Sequence, residues 1–480
     1  MPKLLSKSKY LNGLQCPKLL WISVNAKSRL PEVDESKQKL FDEGHLVGEY
    51  AKKLFPHGVN IPTDNFTKNL DDTRTLLNKN KPLFEPAFMI DRLYSRADIL
   101  EPTPSGWNII EVKSSTEIKE QNIQDVAFQK YVYEKAGLKI NNCFLLHINN
   151  KYVLDGALDV SKLFVKEDIT PLVLEEIKLV PSRVVEMLKI IDSKELSVKI
   201  NDFCNKPYEC AMKSICWSVI PQNSVFDLYR GGKKSWELFD NGVVCIKDIP
   251  SDFSLGDKQK IQFECEKTGK VYVNKTAINS FINSLKYPLY FLDFETYMTA
   301  IPLYDGLRPY QQIPFQFSLH KVYENGRKTH YSFIASGKKD PRKKFFNAIK
   351  RKLGVKGSII VYNQSFEQSR LKEIGDYLSV DITPLINRMV DLLIPFRNFD
   401  YYDRKQEGSA SIKYVLPAMT SVSYSGMEIS NGSLASIRYA YITHGSAKLS
   451  EIRKVRDDLK KYCALDTEAM ILILEKLKEL

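Results

Sequence analysis

The segment YPLYFLDFETY, residues 287–297, constrains this chain more than any other stretch. It is apolar and aromatic, so it reads as a buried strand. Within it Asp293 and Glu295 stand two positions apart. Alternation along a strand puts both carboxylates on one face. A buried strand presenting two same-face acids makes a poor core unless something cationic lies against it.

Two more acids follow apolar segments. Glu367 lies in IIVYNQSFEQSRL, directly after an apolar strand, with Asn363 four residues before it. Asp466 lies in KKYCALDTEAM, one helical turn after Tyr462. The bland alternative, surface acids and a core tyrosine, leaves unexplained why acids cap three separate apolar segments. The surrounding pattern predicts a strand at PFQFSLHKVY and a hairpin through ENGRK into THYSFIA. A helix at 341–353, a strand at SIIVYN and a terminal helix from about 450 follow.

Taken as D-x-E, N-x-x-x-E and Y-x-x-x-D, residues 286–480 resemble the DEDDy exonucleases, the proofreading family built on an RNase H-like fold. MVDLLIPF and SASIKYVLPAM resemble the family's intervening segments. Glu367 departs mildly from the family's usual Asp. Tyr462 marks the tyrosine subtype, since the histidine subtype would carry His at Lys461. The resemblance implies a 3′ to 5′ exonuclease in which Asp293, Glu295, Glu367 and Asp466 hold two Mg²⁺ or Mn²⁺ ions about 4 Å apart. It gives Tyr462 the task of orienting, or helping to deprotonate, the attacking water.

A second constellation lies near the N-terminus. Strands are expected across 87–100 and 107–113, a helix at about 121–136 with a glycine stop, and a strand at 142–148, an α/β core. Asp98, twelve intervening residues, then Glu111 and Lys113 would place two carboxylates and an ammonium together on adjacent strands. Such carboxylates suit a hard divalent ion, with Lys113 positioning or activating water and steadying the phosphate. Charged residues end many strands, so the triplet alone says little. Gln129 and Tyr133, on one face of the next helix, complete a pattern that resembles the RecB/AddB nucleases of the PD-(D/E)XK superfamily, with its restriction-endonuclease-like fold. Many of those carry a metal-binding His four residues after a Gly in the first core helix. Here that place after Gly44 is Gly48. His45 or Glu49 could substitute, or His45 is a plain surface histidine.

Eight cysteines in a chain read as cytoplasmic argue against structural disulfides. Cys204, Cys210 and Cys216 are evenly spaced with five residues between each, and Cys16 lies far upstream. One early cysteine and a late trio bracketing the core resemble the arrangement of iron–sulfur RecB-like nucleases. This implies a [4Fe–4S] cluster tying the domain's ends together. Zinc is the alternative, though its short C-x₂₋₄-C knuckles are absent, and buried unliganded thiols are the third reading.

At 480 residues, more than one domain is expected. Three blocks are read: 1–224, a connector at 225–285, and 286–480. In the connector, WELFDNGVVCIKDIP reads as a packing spacer or as a small helix pair touching nucleic-acid backbone. The composition, 43% hydrophobic and 27% charged, is that of ordinary folded proteins and excludes disordered and fibrous classes. Met1 to Gly13 carries three lysines and no leader-like apolar core, and no apolar run is long enough to span a bilayer. A formal charge of +12 suits a polyanionic partner or reflects a lysine-rich proteome. As a whole the chain resembles a bacterial fusion of an iron–sulfur RecB-like domain with a DEDD exonuclease. That implies a dual nuclease acting on DNA with free or single-stranded ends, in repair or defence. The competing readings are an RNA-processing exonuclease and a nucleic-acid-binding scaffold with an inactive site.

Overall fold

In the computed structural model, which describes residues 3–480, the chain divides into two units. One is Met1–Ser218 with Thr299–Gln311, and the other is Val219–Met298 with Gln312–Leu480. Both are α/β, each built on a sheet with parallel and antiparallel pairs.

The first unit carries helices α1 (Lys7–Gln15), α2 (Pro17–Asn25), α3 (Glu35–Lys52) and α4 (Glu120–Lys135). Its strands are β1 (Leu5–Ser6), β2 (Val59–Asn60), β3 (Leu83–Phe84), β4 (Ala87–Ile90), β5 (Leu93–Arg96), β6 (Ile99–Thr103), β7 (Gly106–Lys113), β8 (Ile140–Ile148) and β9 (Phe164–Asp168). The main sheet runs β2-β3-β6-β7-β8-β9, and a small one runs β1-β5-β4. The stretch 87–100 is thus not continuous. It forms the β4–β5 hairpin and then enters β6, with Asp98 in the break just before β6.

Helix α4 joins the parallel neighbours β7 and β8. Its Val126, Ala127, Phe128, Val132 and Tyr133 share one fully buried cluster with Ile109 of β7 and Leu145 of β8. On its other side α4 meets α1, where Tyr10 stacks on Phe128 with ring centroids 4.6 Å apart. Burial on both sides explains why its apolar residues are not confined to one stripe. The helix stops at Gly137, whose φ of +95° is open to glycine. Segment Thr299–Gln311 also packs in this unit: Ala300 and Ile301 join a cluster with Val47 and Ala51 of α3.

The second unit adds β10 (Tyr272–Val273), β11 (Leu289–Tyr297), β12 (Ile313–Val322), β13 (Lys328–Ile334), β14 (Ile359–Val361), β15 (Met389–Asp391) and β16 (Tyr401–Tyr402). Its helices include α5 (Gln364–Leu378), α6 (Ile412–Met419) and the long α7 (Leu449–Lys478). The five-stranded sheet runs β13-β12-β11-β14-β15, antiparallel at β13-β12-β11 and parallel at β11-β14-β15. The expected connector, 225–285, groups with this unit. Leu238, Ile246 and Ile249 are buried there in a small cluster with Val225 and Leu228. The β10–β16 pair ties it to the rest of the unit. Among the described residues, no helix is long and apolar enough to cross a membrane.

Candidate active sites

In the second unit β11 lies mid-sheet, between β12 and β14. Tyr290, Leu292 and Phe294 enter an apolar cluster with Phe317, Leu319 and Phe345. Alternation therefore turns Asp293 and Glu295 to the opposite face, and α7 packs against β11 and β12. Side chains of β12 fasten α7 in place. Gln316 Nε2 donates to Leu459 O at 2.7 Å, and Thr467 Oγ1 lies 2.7 Å from Ser318 Oγ and 2.8 Å from His320 Nδ1. These bonds bracket Tyr462 and Asp466.

Glu367 arrives by a sharp turn. Asn363 adopts a left-handed conformation with φ +83°, which Asn tolerates better than most residues. Its N–H donates to Asp391 Oδ1 at 2.9 Å. Helix α5 thus starts soon after β14, with Glu367 in its first turn. Glu367 is 2% exposed, and its Oε2 has no hydrogen-bond partner.

The four carboxylates act on one another. Burial pushes Asp293 well above the ordinary carboxylate range, and Asp466, Glu295 and Glu367 add to it. Burial and Asp466 do the same to Glu295, against the opposing charge of Lys413. Burial raises Glu367 to about 8. Asp466 is raised by burial to about 7, held back by a hydrogen bond from Tyr424 and by Lys413. Tyr424 OH donates to Asp466 Oδ1 at 2.6 Å. The Tyr462 phenol is pushed up by burial and then by Asp466, Glu295 and Asp293. Ligand atoms of Asp293, Glu295 and Cys463 lie within 4.8 Å of one another. An orphaned buried oxygen among mutually repelling carboxylates fits a hard divalent cation.

In the first unit, pairing of Ile99 with Ile110 brings Asp98 beside the end of β7, where its Oδ2 accepts from Val112 N at 2.7 Å. Glu111, 1% exposed, accepts at Oε1 from Lys113 Nζ at 2.6 Å and Lys7 Nζ at 2.8 Å, and at Oε2 from Gln129 Nε2 at 2.7 Å. Asp125 accepts from Lys113 at 3.0 Å and Gln129 at 2.9 Å. Tyr133 does not touch the acids. Its OH donates to Pro86 O at 2.7 Å and accepts from Ala97 N at 2.8 Å, which holds the chain entering Asp98.

Burial and the neighbouring Glu111 raise Asp98 to about 7, against Lys7 and Lys113. Burial alone would raise Glu111, but Lys113 and Lys7 hold it below the ordinary range. Burial would lower Lys113, but Asp125 and Glu111 hold it above its usual value, so it stays an ammonium. Asp98, Glu111, Lys113 and Lys7 line a cavity of about 630 Å³ whose other wall includes Gly44, His45, Gly48 and Glu49 of α3. Glu49 pairs with Lys52 at 2.6 Å.

Cys16, Cys204, Cys210 and Cys216 line another cavity, of about 260 Å³. Burial raises the Cys16 thiol, partly offset by the N–H groups of Leu19 and Lys18 at the start of α2. Lys18, Lys199 and Lys213 also line the cavity, suited to an anionic centre. A lone tetrahedral zinc needs sulfurs about 3.8 Å apart, given Zn–S of about 2.3 Å. Among the described residues, the triplet with ligand atoms within 4.8 Å is Asp293, Glu295 and Cys463, not a set of these thiols. Four thiols lining one cavity are a donor set that would suit a cluster.

A domain of unknown function, DUF2779, matches residues 290–411. The match takes in Asp293, Glu295 and Glu367 and ends before α7. An uncharacterized Ureaplasma parvum protein, UU173, is 26% identical over 90% of this chain and 83% of its own length. The uncharacterized protein MG366 of Mycoplasma genitalium is 26% identical over 41% of this chain, and the match spans 33% of that relative.

Sequence reasoning missed Lys7, Asp125, Tyr424 and Lys413. Asp125 stands one turn before Gln129, so helical spacing could have found it. Lys7 is 104 residues from Glu111, and Tyr424 is 42 from Asp466, with no local signal for either.

Proposed function

We propose that this chain is a metal-dependent nuclease with two active sites acting on DNA, a 3′ to 5′ exonuclease site in the second unit and a RecB-like site in the first. The observation that carries the reading is the meeting of Asp293, Glu295, Glu367 and Asp466 from three elements, with Glu367 Oε2 orphaned. The strand order β13-β12-β11-β14-β15 supports an RNase H-like fold for the second unit. The β6-β7-α4-β8 core with Asp98, Glu111, Lys113 and Gln129 supports a PD-(D/E)XK fold for the first. The four-thiol cavity supports a [4Fe–4S] centre held by Cys16, Cys204, Cys210 and Cys216.

The four acids of the second unit, and Asp98 with Glu111 in the first, would hold Mg²⁺ or Mn²⁺. Bound there, the metal supplies Lewis acidity and a nucleophilic water at neutral pH. The chain's own residues do the rest. Tyr462, its phenol pushed up, stays protonated and orients a water by hydrogen bonding. Tyr424 fixes the rotamer of Asp466. Lys113, held as an ammonium, steadies negative charge on a phosphate and does not serve as a base.

The test is a time course on 3′- and 5′-labelled single- and double-stranded DNA and RNA with Mg²⁺ or Mn²⁺. Stepwise mononucleotide release from DNA 3′ ends, lost in Asp293→Ala, is expected. Release from RNA alone would transfer the reading to RNA processing. No cleavage of any substrate with either metal would overturn it.

A further inference from the structure

The first-unit site holds two ammoniums, not one. Lys7 Nζ lies 2.8 Å from Glu111 Oε1 and 3.6 Å from Asp125 Oδ1, and Lys113 Nζ lies 2.6 Å from the same Glu111 oxygen and 3.0 Å from Asp125 Oδ2. Lys7 also lines the cavity that Asp98, Glu111 and Lys113 line, so its charge faces a ligand there. It is no loose surface lysine. Immediately before it, Leu5–Ser6 pairs with β5, and Leu5 N donates to Arg92 O at 2.9 Å. At the far end of α1, Gln15 Nε2 lies 3.0, 3.2 and 2.7 Å from the carbonyl oxygens of Phe203, Lys206 and Tyr208, which share its two N–H donors. Helix α1 is pinned at both ends, and Lys7 is its first residue.

The charges favour one metal ion. Asp98, Glu111 and Asp125 oppose Lys7 and Lys113, and the cavity's other acids are paired, Glu49 with Lys52 and Glu85 with Arg96. The ionised cluster carries one net negative charge. A single divalent ion turns that into one positive charge, matching one phosphodiester. Two ions would leave three positive charges buried together, which is costly.

We infer that Lys7 supplies a second positive charge beside Lys113 at this site, so that the site binds one divalent ion. The inference rests on the nuclease reading of this cavity.

The experiment uses the full chain with Asp293→Asn and Asp466→Asn, which removes metal ligands from the second unit. Mn²⁺ binding is followed by electron paramagnetic resonance and calorimetry, beside cleavage of labelled DNA. The Lys7-containing protein should bind one Mn²⁺. Lys7→Met should bind Mn²⁺ at least 10-fold more tightly, or take a second ion, while cleavage at saturating Mn²⁺ falls 100-fold or more. Lys7→Arg should keep one ion and part of the rate. A purely structural Lys7 would change only the melting temperature. Unchanged Mn²⁺ affinity and stoichiometry in Lys7→Met, or two ions in the Lys7-containing protein, overturns the inference. Glu111→Gln separates the two failures: if it keeps both Mn²⁺ binding and cleavage, the assignment of this cavity as a nuclease site has failed, and the role of Lys7 with it.

Discussion

Replacing Glu367 by Gln should stabilise the metal-free protein. The carboxyl is raised to about 8 from an ordinary 4.5 by burial, with Asp391 adding to it. A raised folded-state pKa gives stability that is complete below about 4.5 and is lost as pH rises through about 8. The linkage cost of keeping Glu367 at pH 5 is below about 1 kcal/mol, at pH 7 roughly 3 kcal/mol, and at pH 9 about 5 kcal/mol. Glu367→Gln removes that cost while keeping the shape. With about 2–4 °C per kcal/mol for a unit of this size, its melting point at pH 7 should rise by roughly 6–12 °C. The measurement is thermal and urea unfolding of both proteins in EDTA at pH 5, 7 and 9. The amide can lose a hydrogen bond, which shifts all three values alike, so the growth of the difference with pH is the signal. Saturating Mn²⁺ should reverse the order, because it stabilises the state with the intact ligand. A difference that stays flat or shrinks from pH 5 to pH 9 in EDTA refutes the reasoning.

Tyr462→Phe should keep Mn²⁺ and DNA affinity while turnover falls about 10²-fold, the usual worth of a positioned acid–base group; wild-type turnover would remove the phenol from the mechanism. Tyr424→Phe should instead weaken Mn²⁺ binding, since it frees Asp466, and extra Mn²⁺ should restore much of the rate. Cys210→Ala should lose colour and iron in an anaerobic preparation, where the unsubstituted protein should be brown with iron and sulfide near four each by the stoichiometry of the cluster; colourless protein with stoichiometric zinc would favour the zinc reading. Lys113→Ala should leave stepwise release from 3′ ends intact, as measured on end-labelled DNA, and loss of all activity would mean the two sites do not work independently.

Local periodicity carried much of this protein. Strand alternation alone sets Asp293 and Glu295 on one face, away from the Tyr290–Leu292–Phe294 core. Helical spacing sets Tyr462 near Asp466, and the glycine after α4 ends that helix where expected. The even cysteine trio and distant Cys16 were visible as a set, but their meeting in one cavity is a tertiary fact. The stretch 87–100 breaks into a hairpin and β6 because β5 pairs with β1 and β4 while β6 pairs with β3 and β7, and Asp98 lies at the change of sheet. Lys7, Tyr424 and Lys413 reach their acids only through folding. A residue's own neighbours determine which face it occupies, whereas the charge it meets across the fold is set by packing of segments far apart in the chain.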